Sequence, residues 1–146
     1  MAGCETTQNI AEKIPKQTKT RILFDTSDLL YSVGIGDAGV QGFCKRIQSY
    51  LTNGLADIGV TAVAGPDTGT SEATIKITLS ALEQVGATDF IFFGTQRIRV
   101  KYSAILSSPA GVTVATWKHE DDEDSLDKLS GHMASDIVKY LKKGFR

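Results

Sequence analysis

Cysteine is scarce in the 146 residues: Cys4 and Cys44 alone are too few for a disulfide framework. No apolar run approaches the roughly 20 residues that a membrane-spanning helix needs. An excess of basic charge is also missing. The 16 Lys and Arg face 17 Asp and Glu, a formal net charge of −1 that provides no bulk attraction to nucleic acid or anionic lipid. The two histidines, His119 and His132, have no zinc-ligand spacing with each other or with the cysteines. No serine sits in a nucleophile elbow. These absences set an expectation of no catalysis, no metal and no cofactor. Neither an internal repeat nor a second core interrupts the chain.

What is present suits one globular domain. Hydrophobic residues make up 41% and charged residues 23%, values that separate the chain from disordered sequences. Residues 1–20 are polar, lack a sustained period and contain Pro15, so they read as a flexible tether. The domain then spans 21–146.

Its elements follow from periodicity. An apolar run at 21–25 predicts a first strand. Over 40–58, Val40, Phe43, Cys44, Ile47, Leu51, Leu55 and Ile58 form one helical stripe, closed by Gly59. A strand at 60–64 follows, and this strand-helix-strand order suggests a crossover between parallel neighbours. Residues 73–81, 97–106 and 112–119 alternate apolar with polar, the pattern of antiparallel strands with one buried face. SSPAG at 107–111 is a hairpin signal. A last helix over 124–143 carries Leu126, Leu129, Met133, Ile137, Tyr140 and Leu141, with Asp124 as its expected N-cap. The fold class expected is α/β (α+β): a two-layer sandwich in which two helices cover one face of a mixed, mainly antiparallel sheet of about five strands.

Ala2-Gly3-Cys4 is a small-small-cysteine site of the kind at which bacterial lipoproteins are processed. Small residues admit the peptidase, and the thiolate takes the lipid. Cys4 is therefore the expected lipidation site, with the polar tether behind it. Cys44 sits on the helical stripe, where a thiol behaves as a small hydrophobe. Gly34-Ile35-Gly36-Asp37-Ala38-Gly39 matches G-x-G-x-x-G, but only one crossover unit follows, so it reads as a turn before the helix rather than a dinucleotide loop. The acids at 120–124 lack the spacing and central glycine of a calcium loop and read as a solvated loop near the helix's positive end.

Two surface features point to a partner. Lys76, Arg97, Arg99 and Lys101 fall on the polar sides of their strands and would form a basic stripe, with Trp117 beside it, able to steer an anionic partner. Phe90, Phe92 and Phe93 lie in a connection between strands, where polar turn residues are the norm. They either fold over the core or present an adhesive tip.

The lipidation site, the tether, the strand-helix-strand opening, FIFFG before RIRVKY and the closing amphipathic helix together resemble small Gram-negative envelope lipoproteins, many without an assigned function. That resemblance implies a non-enzymatic module that binds or assembles with another envelope protein. The membrane would be reached only through the lipid, at the periplasmic face of the outer membrane, since Glu5 rather than Asp follows the cysteine. No nucleic-acid partner is implied, and the oligomeric state is open. The alternative is a soluble, cytoplasmic domain that binds a small ligand at the glycine loop or the basic sheet face.

Overall fold

The computed structural model describes residues 12–65, 71–85 and 97–146. Cys4, Phe90, Phe92 and Phe93 lie outside these described residues. Six strands form one mixed sheet: β1 (Thr20–Asp25), β2 (Leu30–Tyr31), β3 (Ala62–Ala64), β4 (Ala73–Val85), β5 (Arg97–Ser107) and β6 (Thr113–Glu123). The order across it is β3-β1-β4-β5-β6, and β2 pairs with β4. β1 runs parallel to β3 and to β4, while β4, β5 and β6 are antiparallel in sequence. Helix α1 (Gly36–Asp57) connects the parallel first half, and α2 (Leu126–Leu141) closes the chain with a short 3-10 turn, Lys142–Gly144.

The periodicities account for the two layers. Phe43, Ile47, Leu51 and Leu55 of α1 are buried, as are Leu129, Met133, Ile137 and Leu141 of α2. They pack with the inward residues Ile75, Ile77, Val100, Tyr102, Ala104 and Leu106 of the sheet. Val40, Cys44 and Ile58 are only partly buried at the rim of this core. Burial raises the Cys44 thiol above its ordinary pKa.

Several sequence expectations need correction. β4 does not keep one parity to its end, because a bulge shifts its register with β5 between Leu79 and Ala81. The extra residue turns Leu82 inward and leaves Ala81 half-buried. β2 is a sixth strand and resumes beside β4 after β1 stops. At that stop the Asp25 carboxylate accepts from the backbone and hydroxyl of Ser27, a local turn that draws the chain off the sheet. β6 runs on through the acids as far as Glu123, so they are strand rather than loop. Ser125, not Asp124, caps α2: its hydroxyl accepts from Lys128 N–H at 3.2 Å.

Part of the segment read as tether is docked. Ile14 is 2% exposed and pairs with Phe145 in a parallel bridge. Its N–H donates to Gly144 O at 2.7 Å, and its carbonyl accepts from Arg146 N at 2.9 Å. Gly144 allows this close approach, since a Cβ there would stand 2.6 Å from the buried Leu106 Cδ2 and 3.1 Å from Val114 Cγ1.

Candidate functional site

Two rows of side chains face one another between β6 and α2. Trp117, His119, Asp121 and Glu123 are spaced by two along β6 and share the helix-covered face of the sheet. His132, Asp136 and Tyr140 are spaced by four along α2 and form one stripe. The elements run in opposite directions, so the rows meet in reverse order. Trp117 stacks on Tyr140, Asp121 meets Asp136 and His132, and Glu123 meets His132.

Asp121 is the centre of this cluster and is only 5% exposed. His119 Nε2 is 3.1 Å from its Oδ1, and His132 Nε2 is 3.6 Å from the same oxygen. His132 Nε2 also stands 3.5 Å from Asp136 Oδ2, while its Nδ1 is 3.0 Å from Glu123 Oε2. Tyr102 of β5 donates its hydroxyl to Asp121 Oδ2 at 3.1 Å, and Trp117 Nε1–H donates to the Tyr102 oxygen at 3.0 Å.

Burial first, and then a hydrogen bond and repulsion from Asp136, lifts the Asp121 carboxyl above the usual carboxylate range. The neighbouring imidazoles oppose that rise when charged. Burial likewise pushes the Tyr102 phenol far above its ordinary value, so it remains a donor. The arrangement offers imidazole nitrogens and carboxylate oxygens to a common space.

The sequence showed two histidines 13 positions apart with no evident partner. The structure brings both to Asp121. The available signal was the pairing of a spacing of two at 119, 121 and 123 with a spacing of four at 132, 136 and 140. It was lost once the acids were read as loop.

The basic residues lie on the other face. Lys76 is 3.9 Å from Asp25, Arg97 is 3.1 Å from Asp122 and Lys101 is 3.6 Å from Glu120. Arg99 pairs in register with both Glu83 and Asp122. The stripe is therefore a mixed-charge face rather than a continuous basic one. Trp117 is not beside it, since its ring lies against Tyr140 under the helix layer. At the glycine loop, Gly36 takes a φ of 69° and Tyr31 donates its hydroxyl to Asp37. Asp37 thus places a carboxylate in the first turn of α1, where a phosphate would need open amides.

One apolar feature was not anticipated as exposed. Leu30 is 75% and Val33 is 96% exposed. They are held outward because the intervening Ser32 is tied to β4: its N–H donates to Leu82 O at 3.1 Å, and its hydroxyl accepts from Gln84 N at 3.0 Å. This is the end of the sheet where β4 stops at Val85 and β5 starts at Arg97. Residues 86–96, which include the three phenylalanines, lie outside the described residues.

No family model matches the chain, and no curated protein is similar to it in sequence. Solved structures share its fold. The PelC dodecamer from Paraburkholderia phytofirmans is 10% identical, with 90% of this chain and 91% of that chain covered and a TM-score of 0.59. A protein from Xanthomonas campestris is 7% identical over 92% of this chain and 88% of that chain, with a TM-score of 0.54. A minor lipoprotein from Acinetobacter baumannii is 7% identical over 86% of this chain and 90% of that chain, with a TM-score of 0.50. The chain therefore has a fold that is also found in a bacterial lipoprotein.

Proposed function

We propose that this domain is a non-enzymatic binding or assembly module of the cell envelope, held at the periplasmic face of the outer membrane by a lipid on Cys4. The observation that carries the reading is the pair Leu30 and Val33, fixed outward at one end of the sheet by the backbone and hydroxyl of Ser32. Apolar side chains held rigidly in water lose little further entropy when a partner covers them. The occupant is another envelope protein, and the sequence expectation of a contact through Phe90, Phe92 and Phe93 is part of the same proposal. The fold's occurrence in a dodecamer and in a minor lipoprotein supports both assembly and anchoring. The mixed charges of Arg97, Arg99 and Lys101 border that contact and supply register more than attraction, whereas Lys76 lies toward the opposite end of the sheet.

The test expresses the chain in Gram-negative cells behind a lipoprotein signal peptide. Cys4 should incorporate labelled fatty acid and send the protein to the outer-membrane fraction, and Cys4→Ser should do neither. Cross-linking from a residue placed at Val33 should capture one envelope protein in defined stoichiometry. An unmodified, soluble precursor removes the anchor, and a Val33 probe that captures nothing while folded removes the binding surface.

A further inference from the structure

We propose that His119, Asp121, Asp136 and His132 form a binding site for one divalent first-row transition-metal cation, with Zn²⁺ as its representative. Ligand atoms of His119, Asp121 and Asp136 lie within 4.8 Å of one another. His132 Nε2 approaches both carboxylates, at 3.6 Å from Asp121 and 3.5 Å from Asp136. A tetrahedral Zn²⁺ with bonds of about 2.0–2.2 Å has ligand-to-ligand edges of roughly 3.3–3.6 Å. The nitrogen-to-oxygen separations of 3.1, 3.5 and 3.6 Å fall close to that range. Small rotations of the imidazoles would complete the set.

The donor types select the ion. Calcium and magnesium take shells of oxygen, whereas imidazole with carboxylate suits zinc and its neighbours. Charge points the same way. Two carboxylates meet where Asp121 is 5% exposed, and the side chains that reach them are the imidazoles of His119 and His132 and the phenol of Tyr102. A dication would balance both carboxylates at once.

The surroundings have the form of an outer shell. Glu123 Oε2 sits 3.0 Å from His132 Nδ1, which fixes a proton on that nitrogen and turns the Nε2 lone pair toward the carboxylates. Tyr102 holds the second oxygen of Asp121, leaving Oδ1 for the ion, and Trp117 in turn holds Tyr102. An ordinary solvated cluster would not need its imidazole and its buried carboxylate each oriented from behind.

Trp117 is the only tryptophan, and its ring centroid is 4.8 Å from that of His119, so it reports on the site. The full chain carrying Cys4→Ser, freed of metal by a chelator, is titrated with Co²⁺ while Trp117 emission is followed. Open-shell Co²⁺ should quench it saturably at one equivalent, and Zn²⁺ should restore it by displacement. Calorimetry with Zn²⁺ alone should give the same stoichiometry. His119→Gln and His132→Gln should each weaken binding about 10-fold or more, and Glu123→Gln should weaken it about 10–100-fold. Asp122→Asn, on the opposite sheet face, should leave binding unchanged. Absence of saturable quenching in the unsubstituted site overturns the proposal, as does binding that persists unaltered in the double variant His119→Gln, His132→Gln.

Discussion

Trp117 and Tyr140 lie face to face, with ring centroids 3.8 Å apart and planes within 6° of parallel. The stack joins β6 to α2 at one end of the polar cluster. It also fixes the indole so that its N–H reaches Tyr102, and through Tyr102 the position of Asp121 is set. An aromatic contact between two elements thereby orients a carboxylate four residues along the strand.

Tyr102→Phe should destabilise the domain by about 1–3 kcal/mol. The substitution keeps the ring but leaves the Trp117 N–H and Asp121 Oδ2 without their shared partner. Chemical denaturation measures the loss, and Trp117 emission should shift as the indole N–H is released. Unchanged stability would mean that water replaces the hydroxyl on both sides.

The two ion pairs that brace β1 and β6 should differ sharply in worth. Arg21 Nε donates to Glu72 at 2.8 Å, and the side chains are only 14% and 8% exposed. Its other guanidinium nitrogens reach Glu72 and Ala64 O, also at 2.8 Å. Glu72→Ala removes the two-oxygen partner of a mostly buried guanidinium and should cost about 3 kcal/mol. Asp122→Ala removes an exposed partner of Arg97 and should cost under about 1 kcal/mol. Paired urea melts decide it, and equal losses would contradict the burial argument.

Cys44 should label slowly. Only the thiolate reacts, and burial holds this thiol above its ordinary pKa, so the midpoint of its rate against pH should lie above that of a free cysteine. The measurement needs a Cys4→Ser background, and unfolding should restore the ordinary rate. Cys44→Asp should lower stability by about 2–3 kcal/mol, because a charge would enter the rim of the core. Rapid labelling of the native protein would show that the thiol is open.

Leu30→Ser and Val33→Ser should leave stability within about 0.5 kcal/mol, since both side chains already face water. Capture of an envelope partner should fall in either variant. Phe92→Ser and Phe93→Ser should act in the same direction. Thermal melts and co-purification are compared, and normal capture by all four folded variants would remove this surface from the interaction.

The helices and the central strands were legible because their apolar residues keep one period. Phe43, Ile47, Leu51 and Leu55 recur on one side of α1, and Ile98, Val100, Tyr102, Ala104 and Leu106 recur on one side of β5. The bulge after Leu79 was not legible, because it depends on how β4 meets its neighbour. The acids of β6 were misread for a related reason. A run of charge resembles a loop until its two faces are seen to have different partners. Glu120 and Asp122 meet cations on the outer face, while Asp121 and Glu123 meet histidines on the inner one. Leu30 and Val33 carried no signal of exposure, since nothing in their own pattern reveals that Ser32 bonds to β4.

The Ile14–Phe145 bridge sets a working height. It lies beside Leu106 and Val114, near the end of the sheet where Thr74 pairs with Ser107, whereas Leu30 and Val33 belong to the other end. Were a lipid carried on Cys4, the ten residues from there to Ile14 could span at most about 35 Å. A tether free to residue 20 would reach roughly 20 Å further. Were Cys4 lipidated, docking Ile14 would shorten the leash and hang the domain by that end, offering the exposed leucine and valine away from the bilayer. Loosening the bridge with Gly144→Val would lengthen the leash without touching the surface it carries.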